Sequence, residues 1–242
     1  MTTMLESIEK NLVPLYEKMD KQVEEMVVSA AQDGNPVSCK RGCMDCCYLM
    51  TTVVLAEGLW MAKELLKESN WVWMGVARKC KEMSKLYDDP TFSRMEYLKE
   101  KHPCPLLDTE KKECSFYRLR PAACRYYFSA SPAEHCSPDA GVMDIMSLNT
   151  TKPEATIWEL AEKITGVSLA APLPLMLLHC MQSVATKKNK LYMTKMTQGV
   201  TNPAAWTKMS AANKRMMRES SPDVRNEVNK SVRDVKGMFS VE

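Results

Sequence analysis

Apolar residues recur at spacings of three and four along much of this chain, the period of an amphipathic α-helix. Leu5, Ile8, Leu12, Leu15, Met19, Val23, Met26, Val27 and Ala30 trace one such stripe and predict a long helix over residues 4–32. Pro14 lies inside it and is expected to kink or split it, because proline removes an amide donor and crowds the preceding turn. Asp33-Gly34-Asn35-Pro36 closes the pattern as a turn. A second stripe, Leu55, Leu59, Met61, Leu65 and Leu66, predicts a helix capped by Thr51 or Thr52 and running to about Ser69. A third, over residues 72–88, places Val76, Cys80, Met83 and Leu86 or Tyr87 on one face.

A shorter helix fits 91–101 and is broken by His102-Pro103-Cys104-Pro105, since each proline disfavours helix at the residue before it. Further helices are expected at 153–166, roughly 174–187, 203–218 and 222–237, the last two opened by Asn202-Pro203 and Ser221-Pro222. There is no internal repeat, no Gly-rich phosphate loop and no sustained strand alternation. The expected fold is all-α or nearly so, with helices around a cysteine-rich metal-binding centre. Its second cysteine block rides on short irregular segments with one short helix, Ala122 to Arg125, started by Pro121. The expected organisation is a helical metal-binding domain over 1–185 and a basic helical extension over 186–242.

Composition narrows the class. The chain has 242 residues, 45% hydrophobic and 26% charged, enough apolar content to fill a core and argue against disorder. Ten cysteines over this length are too sparse for a secreted disulfide miniprotein. The N-terminal sequence has no signal-peptide pattern. The apolar run from Val167 to Met181 is interrupted by Pro172, Pro174 and His179 and falls short of the ~20 residues of a membrane helix. A cytoplasmic protein without a membrane segment is therefore expected. In that reducing setting the cysteines call for metal or redox chemistry rather than disulfides.

The net charge is only +3, yet Met181–Glu242 holds 12 Lys and Arg against 5 Asp and Glu. A solvated helical face is the plain reading of this tail. An acidic partner, nucleic acid included, is the other, although no aromatic stacking platform accompanies it.

The cysteines carry the chemistry. Cys80 and Cys180 stand alone on helical faces and read as small core residues. The other eight form two blocks. The first is Cys39, Cys43, Cys46 and Cys47, a C-x3-C-x2-C-C pattern. On a regular helix all four would share one face, but Cys39 and Cys47 would lie ~12 Å apart along the axis. Zinc with Zn–S bonds of ~2.3 Å needs its sulfurs far closer than that. Either the segment bends at Gly42, or the thiols serve a larger cluster, or they divide between two metals. The second block, Cys104, Cys114, Cys124 and Cys136, has the long spacings of loop-borne ligands. Cys43-Met-Asp-Cys46 is also a C-x-x-C and admits a thiol redox reading, though without the βαβ context that usually supports it. His102 and His135, within two residues of Cys104 and Cys136, read as surface or hydrogen-bonded histidines with mixed metal ligation as the alternative, and His179 reads as structural.

These residues resemble a known family. VSCKRGCMDCCYL, HPCPLLD and CSFYRLRPAACRYYFSASPAEHC match the CxxxCxxCC family of zinc- or iron-chelating domains over roughly residues 36–140. The resemblance rests on Cys39, Cys43, Cys46 and Cys47, on Cys104-Pro105-Leu106-Leu107, and on Cys114, Tyr117, Arg120-Pro121, Cys124-Arg125 and Cys136. It implies metal binding by the eight cysteines, with an iron–sulfur cluster, [4Fe–4S] foremost, or zinc as the group bound. Arg120 and Arg125 are expected to offset the charge of a thiolate-rich centre from just outside it. The role implied is structural or electron-transferring. An iron–sulfur-dependent modifying enzyme is the alternative, since flagellin lysine methylases are similar in their cysteine motif. No S-adenosylmethionine-binding glycine motif accompanies it here.

Overall fold

The structure is a computed structural model and describes residues 3–34, 36–39, 42–88, 97, 100–126, 128–129, 136, 151–166 and 169–200. In chain order the elements are α1 (Met4–Gln32), β1 (Thr52–Val54), α2 (Leu55–Leu65), α3 (Asn70–Ser84), β2 (Leu107–Asp108), β3 (Glu113–Cys114), α4 (Ala122–Arg125), α5 (Thr151–Thr165), β4 (Ala170–Pro172), α6 (Leu173–Val184) and α7 (Lys187–Thr197). The fold is mainly helical with only small strands, as the periodicity predicts. The helices expected at 203–218 and 222–237, His135 and most of 91–101 lie outside the described residues.

The chain forms two compact units, one of Met1–Val53 with Ser93–Leu160 and one of Val54–Phe92 with Ala161–Glu242. The first is organised along α1. A capping box opens this helix: the Glu6 amide donates to Thr3 Oγ1 and the Thr3 amide to Glu6 Oε2, satisfying two otherwise orphaned donors. Ile8, Leu12, Tyr16 and Met19 form its buried stripe. The helix continues through Pro14 rather than splitting there. It ends at Asp33, after which Gly34 takes a positive φ.

The rest of the described first unit is largely irregular. β2 and β3 make a tight antiparallel pair with Leu107 opposite Cys114 and Asp108 opposite Glu113. Asp108 Oδ1 accepts the amides of Glu110 and Lys111 within the turn. Leu106 and Leu107 are buried beneath it.

In the second unit α6 is the central helix. Every residue from Leu173 to Met181 is buried, and α2, α3 and α7 pack around it. A helix apolar on all sides needs partners on all sides. Gly58 of α2 permits the closest approach: a Cβ there would lie 2.5 Å from Met176 Cγ and 3.0 Å from Cys180 Sγ. Cys80 and Cys180 are fully buried, in keeping with their reading as core residues. α7 is held to α3 by the Trp73–Tyr192 edge-to-face pair and by Lys81 Nζ, which donates to the Lys195 and Gln198 carbonyls.

Two boundaries differ from the periodicity. The helix expected from Thr51 or Thr52 starts only at Leu55, because Thr52–Val54 is extended. Glu57, not a threonine, caps it by accepting the Val54 amide at 3.1 Å. Residues 187–197 form α7, a helix that the basic composition of the segment concealed.

Candidate metal centre

All eight clustered cysteines belong to the first unit, and all are free thiols. The first block is not one helix. Gly42 has φ +90°, a left-handed conformation that glycine adopts without strain, and only Asp45–Tyr48 forms a short 3-10 turn. The chain does turn at Gly42, between Cys39 and the short turn that carries Cys46 and Cys47.

Backbone hydrogen bonds then draw the second block toward the first. The Cys104 amide donates to the Cys47 carbonyl at 2.7 Å. The Leu107 amide donates to the Cys104 carbonyl at 2.9 Å, so Cys104 opens the β2–β3 hairpin that carries Cys114. Cys124 sits in α4, behind Pro121 at the helix start, and its Sγ lies 3.9 Å from Thr51 Oγ1. The Ser38 amide donates to the Ser129 carbonyl, and the Ser129 amide donates to Cys39 Sγ at 3.2 Å. Cys136 is buried and is a charge neighbour of Cys39.

The thiols differ sharply in acidity. Cys46 is lowered to about 7, chiefly because the Cys47 thiol hydrogen-bonds to it, with the Arg120 guanidinium adding attraction. Cys47 is raised for the same reason, since its proton is the one held between them, and by burial. Burial raises Cys124 to about 12 and also raises Cys39, Cys43 and Cys114. Cys43 Sγ donates to Asp45 Oδ2 at 3.7 Å, a long contact. Among the described residues, no three ligating side chains close around one point. The donor set itself, soft sulfurs on two blocks joined by the Cys104–Cys47 backbone bond, is of the kind that zinc and iron take.

The two arginines behave differently. Arg120 is a charge neighbour of Cys46, Cys114 and Cys124 and lies over the Tyr117 ring at 3.5 Å, with Nε on the Tyr117 carbonyl. Arg125 is buried and turns to α1. It pairs with Asp20, lies over the Tyr16 ring at 4.2 Å, and donates to the Arg120 carbonyl at 2.8 Å and the Arg118 carbonyl at 2.6 Å. Sequence reasoning missed Asp20 and Tyr16, which anchor it. The only signal was an acidic and an aromatic residue four apart on α1, and such pairs are common. His102 is spent on Glu100 and the Tyr97 ring.

No helix among the described residues is long and apolar enough to cross a membrane. No curated protein and no solved structure matches the chain. A family model does match: CxxCxxCC, "putative zinc- or iron-chelating domain", over residues 38–147. That span contains every cysteine of the two blocks. Residues 38–147 thus match the model of the CxxCxxCC domain family, and metal binding is the general property this match supports.

Proposed function

We propose that this protein is a metal-thiolate protein in which Cys39, Cys43, Cys46, Cys47, Cys104, Cys114, Cys124 and Cys136 hold zinc or an iron–sulfur cluster. In this reading the metal's first role is structural. One observation carries it: among the described residues the segments bearing Cys43, Cys46, Cys47, Cys104, Cys114 and Cys124 hold only short elements, yet the Cys104 amide bonds to the Cys47 carbonyl and Thr51 Oγ1 lies 3.9 Å from Cys124 Sγ. Such segments bury few apolar groups of their own, and metal–sulfur bonds would supply the missing free energy. When bound, the metal supplies strong bonds to deprotonated thiols. The chain supplies the bend at Gly42, the hairpin, the Ser129 amide on Cys39 and the Arg120 charge.

A redox or enzymatic role is the second reading. It is favoured by Arg120 and the partly exposed Tyr117 at the edge of the cysteine cluster, where a partner or anionic molecule has access. The test is metal analysis with visible spectroscopy on anaerobically purified protein. Iron with acid-labile sulfide and broad absorption near about 400 nm identifies a cluster. Zinc without that absorption identifies a zinc site. Neither metal, with all eight thiols freely alkylated, refutes the proposal.

A further inference from the structure

The basic C-terminal region has no aromatic platform in its own sequence, and the second unit supplies one. Positive charge is concentrated where α7 packs beside α3. α7 carries Lys187, Lys188, Lys190 and Lys195 and no acidic residue. α3 carries Arg78, Lys79 and Lys81 against Glu82 alone. Two adjacent helices thus hold seven cations and one carboxylate, in a chain whose net charge is only +3.

The contacts between these helices fix which side chains share their outer face. Tyr192 packs on Trp73 and donates to the Met74 carbonyl, and Lys81 Nζ donates to the Lys195 and Gln198 carbonyls. Rising numbers on α7 meet rising numbers on α3, so the two helices run parallel. Trp73, Val76, Ala77 and Cys80 on α3 and Met193 on α7 are buried, which sets the inward side of each. At about 100° per residue, Trp71 and Arg78 lie about 20° apart on α3, outward of the edge from which Lys81 reaches α7. Leu191 and Lys195 lie about 40° apart on α7, outward of Tyr192. The two pairs therefore face the same way. Trp71 is 83% exposed and Leu191 69%, and Arg78 and Lys195 are exposed as well. Trp71 and Leu191 make one end of this face. Arg78 stands about 10 Å further along the α3 axis, and exposed Lys85 follows in the next turn.

Cations held beside one carboxylate repel one another, and an anionic chain offsets that repulsion. An exposed indole offers a flat surface on which a base can stack. Bases in a duplex are already stacked on each other, so this pairing of features suits a single strand. A bilayer surface asks for a continuous apolar stripe, whereas Arg78, Glu82, Lys195 and Gln198 are exposed among Trp71 and Leu191. We propose that the outer face of α3 and α7 binds single-stranded nucleic acid. Trp71 stacks on a base, Leu191 packs beside it, and Arg78, Lys85 and Lys195 hold phosphates. The face lies wholly in the second unit and does not rest on the metal-thiolate reading.

The test is fluorescence anisotropy of labelled single-stranded RNA and DNA oligonucleotides of mixed sequence, titrated with the purified full chain over a range of salt. Log affinity is expected to fall against log salt with a slope of about −2, the value for three phosphate contacts on a single strand. Trp71→Ala weakens binding by roughly 5- to 150-fold and leaves the slope unchanged, while Trp71→Phe keeps most of the affinity. Arg78→Gln and Lys195→Gln each make the slope shallower by about 0.7. Lys67→Gln, at an exposed lysine of the same unit paired with Glu64, leaves binding as it was. Every substituted side chain is exposed, and circular dichroism checks that each variant folds. Absence of salt-dependent binding, or equal loss in Lys67→Gln, would overturn the proposal. Affinity unchanged by both Trp71→Ala and Arg78→Gln would place binding elsewhere and overturn it too. So would Trp71-dependent sedimentation with phosphatidylserine vesicles while the oligonucleotides stay unbound, which would make the face a bilayer contact.

Discussion

Gly58→Ala sets two opposite effects of one methyl group against each other. Glycine inside a helix costs about 0.8–1 kcal/mol relative to alanine, so propensity alone favours the substitution. At this position the new Cβ would lie 2.5 Å from Met176 Cγ, 3.0 Å from Cys180 Sγ and 3.2 Å from Met176 Sδ. Carbon atoms in good contact stand about 3.5–4.0 Å apart, so the overlap with Met176 Cγ is roughly 1 Å. The struck atom lies in the stem of the side chain, not at its flexible tip. Met176 and Cys180 are both fully buried on a helix enclosed on all sides, which leaves α6 little room to withdraw. Overpacking of this kind costs about 1–3 kcal/mol. The clash therefore outweighs propensity, and a net loss of about 1–2 kcal/mol is expected.

Urea unfolding followed by circular dichroism at fixed metal content measures the difference. Gly75 supplies the control. It also lies inside a helix, but nothing stands within 4 Å of a Cβ built there, so Gly75→Ala should stabilise by about 0.5–1 kcal/mol through propensity alone. Met176→Ala should cost less in the Gly58→Ala background than in the wild type, a coupling expected only of residues in contact. If Gly58→Ala is as stable as the wild type or more so, close α2–α6 packing does not limit this position and the reasoning fails.

Other expectations follow from the first unit. Arg125→Met strips donors from the Arg118 and Arg120 carbonyls and should cost about 2–3 kcal/mol, with weaker metal retention read by competition with a colorimetric chelator. Asp20→Asn should cost less than about 1 kcal/mol, because Asp20 is half exposed and its charge is already screened; an equal loss for both would deny Arg125 its carbonyl role. In metal-free protein, alkylation mapped by mass spectrometry should show Cys46 switching on with a midpoint near its acidity of about 7. Cys124, raised to about 12, should stay inert through neutral pH; equal rates would contradict the Cys46–Cys47 hydrogen bond. Removal of metal by chelator should open residues 36–50 and 100–129 to limited proteolysis while α6 stays protected, since the cysteine-bearing segments have little core of their own.

The sequence alone determined the elements with a strong period. The apolar stripes of α1 and α3 and the unbroken apolar run of α6 are statements about burial. Burial drives helix packing, so these elements could be read from spacing. The two isolated cysteines could be read as core in the same way, and the eight others as a metal signature, because chemistry fixes which residues a soft metal takes. The sequence also allowed a bend at Gly42 without requiring it, since glycine permits a left-handed turn but does not impose one.

Tertiary structure decided what depends on distant partners. β1 is extended although Thr51 and Thr52 are good caps, because Leu55 bonds through its amide to Leu169, more than a hundred residues away. Arg125 looked like a counter-charge for the thiolates and instead binds Asp20 and two carbonyls, leaving Arg120 beside the sulfurs. The grouping of the cysteines belongs here too. Spacing shows how many thiols exist and how far apart they lie along the chain. Only the hydrogen bond from the Cys104 amide to the Cys47 carbonyl shows that the two blocks meet there, because chain separation does not restrict distance once a loop has closed.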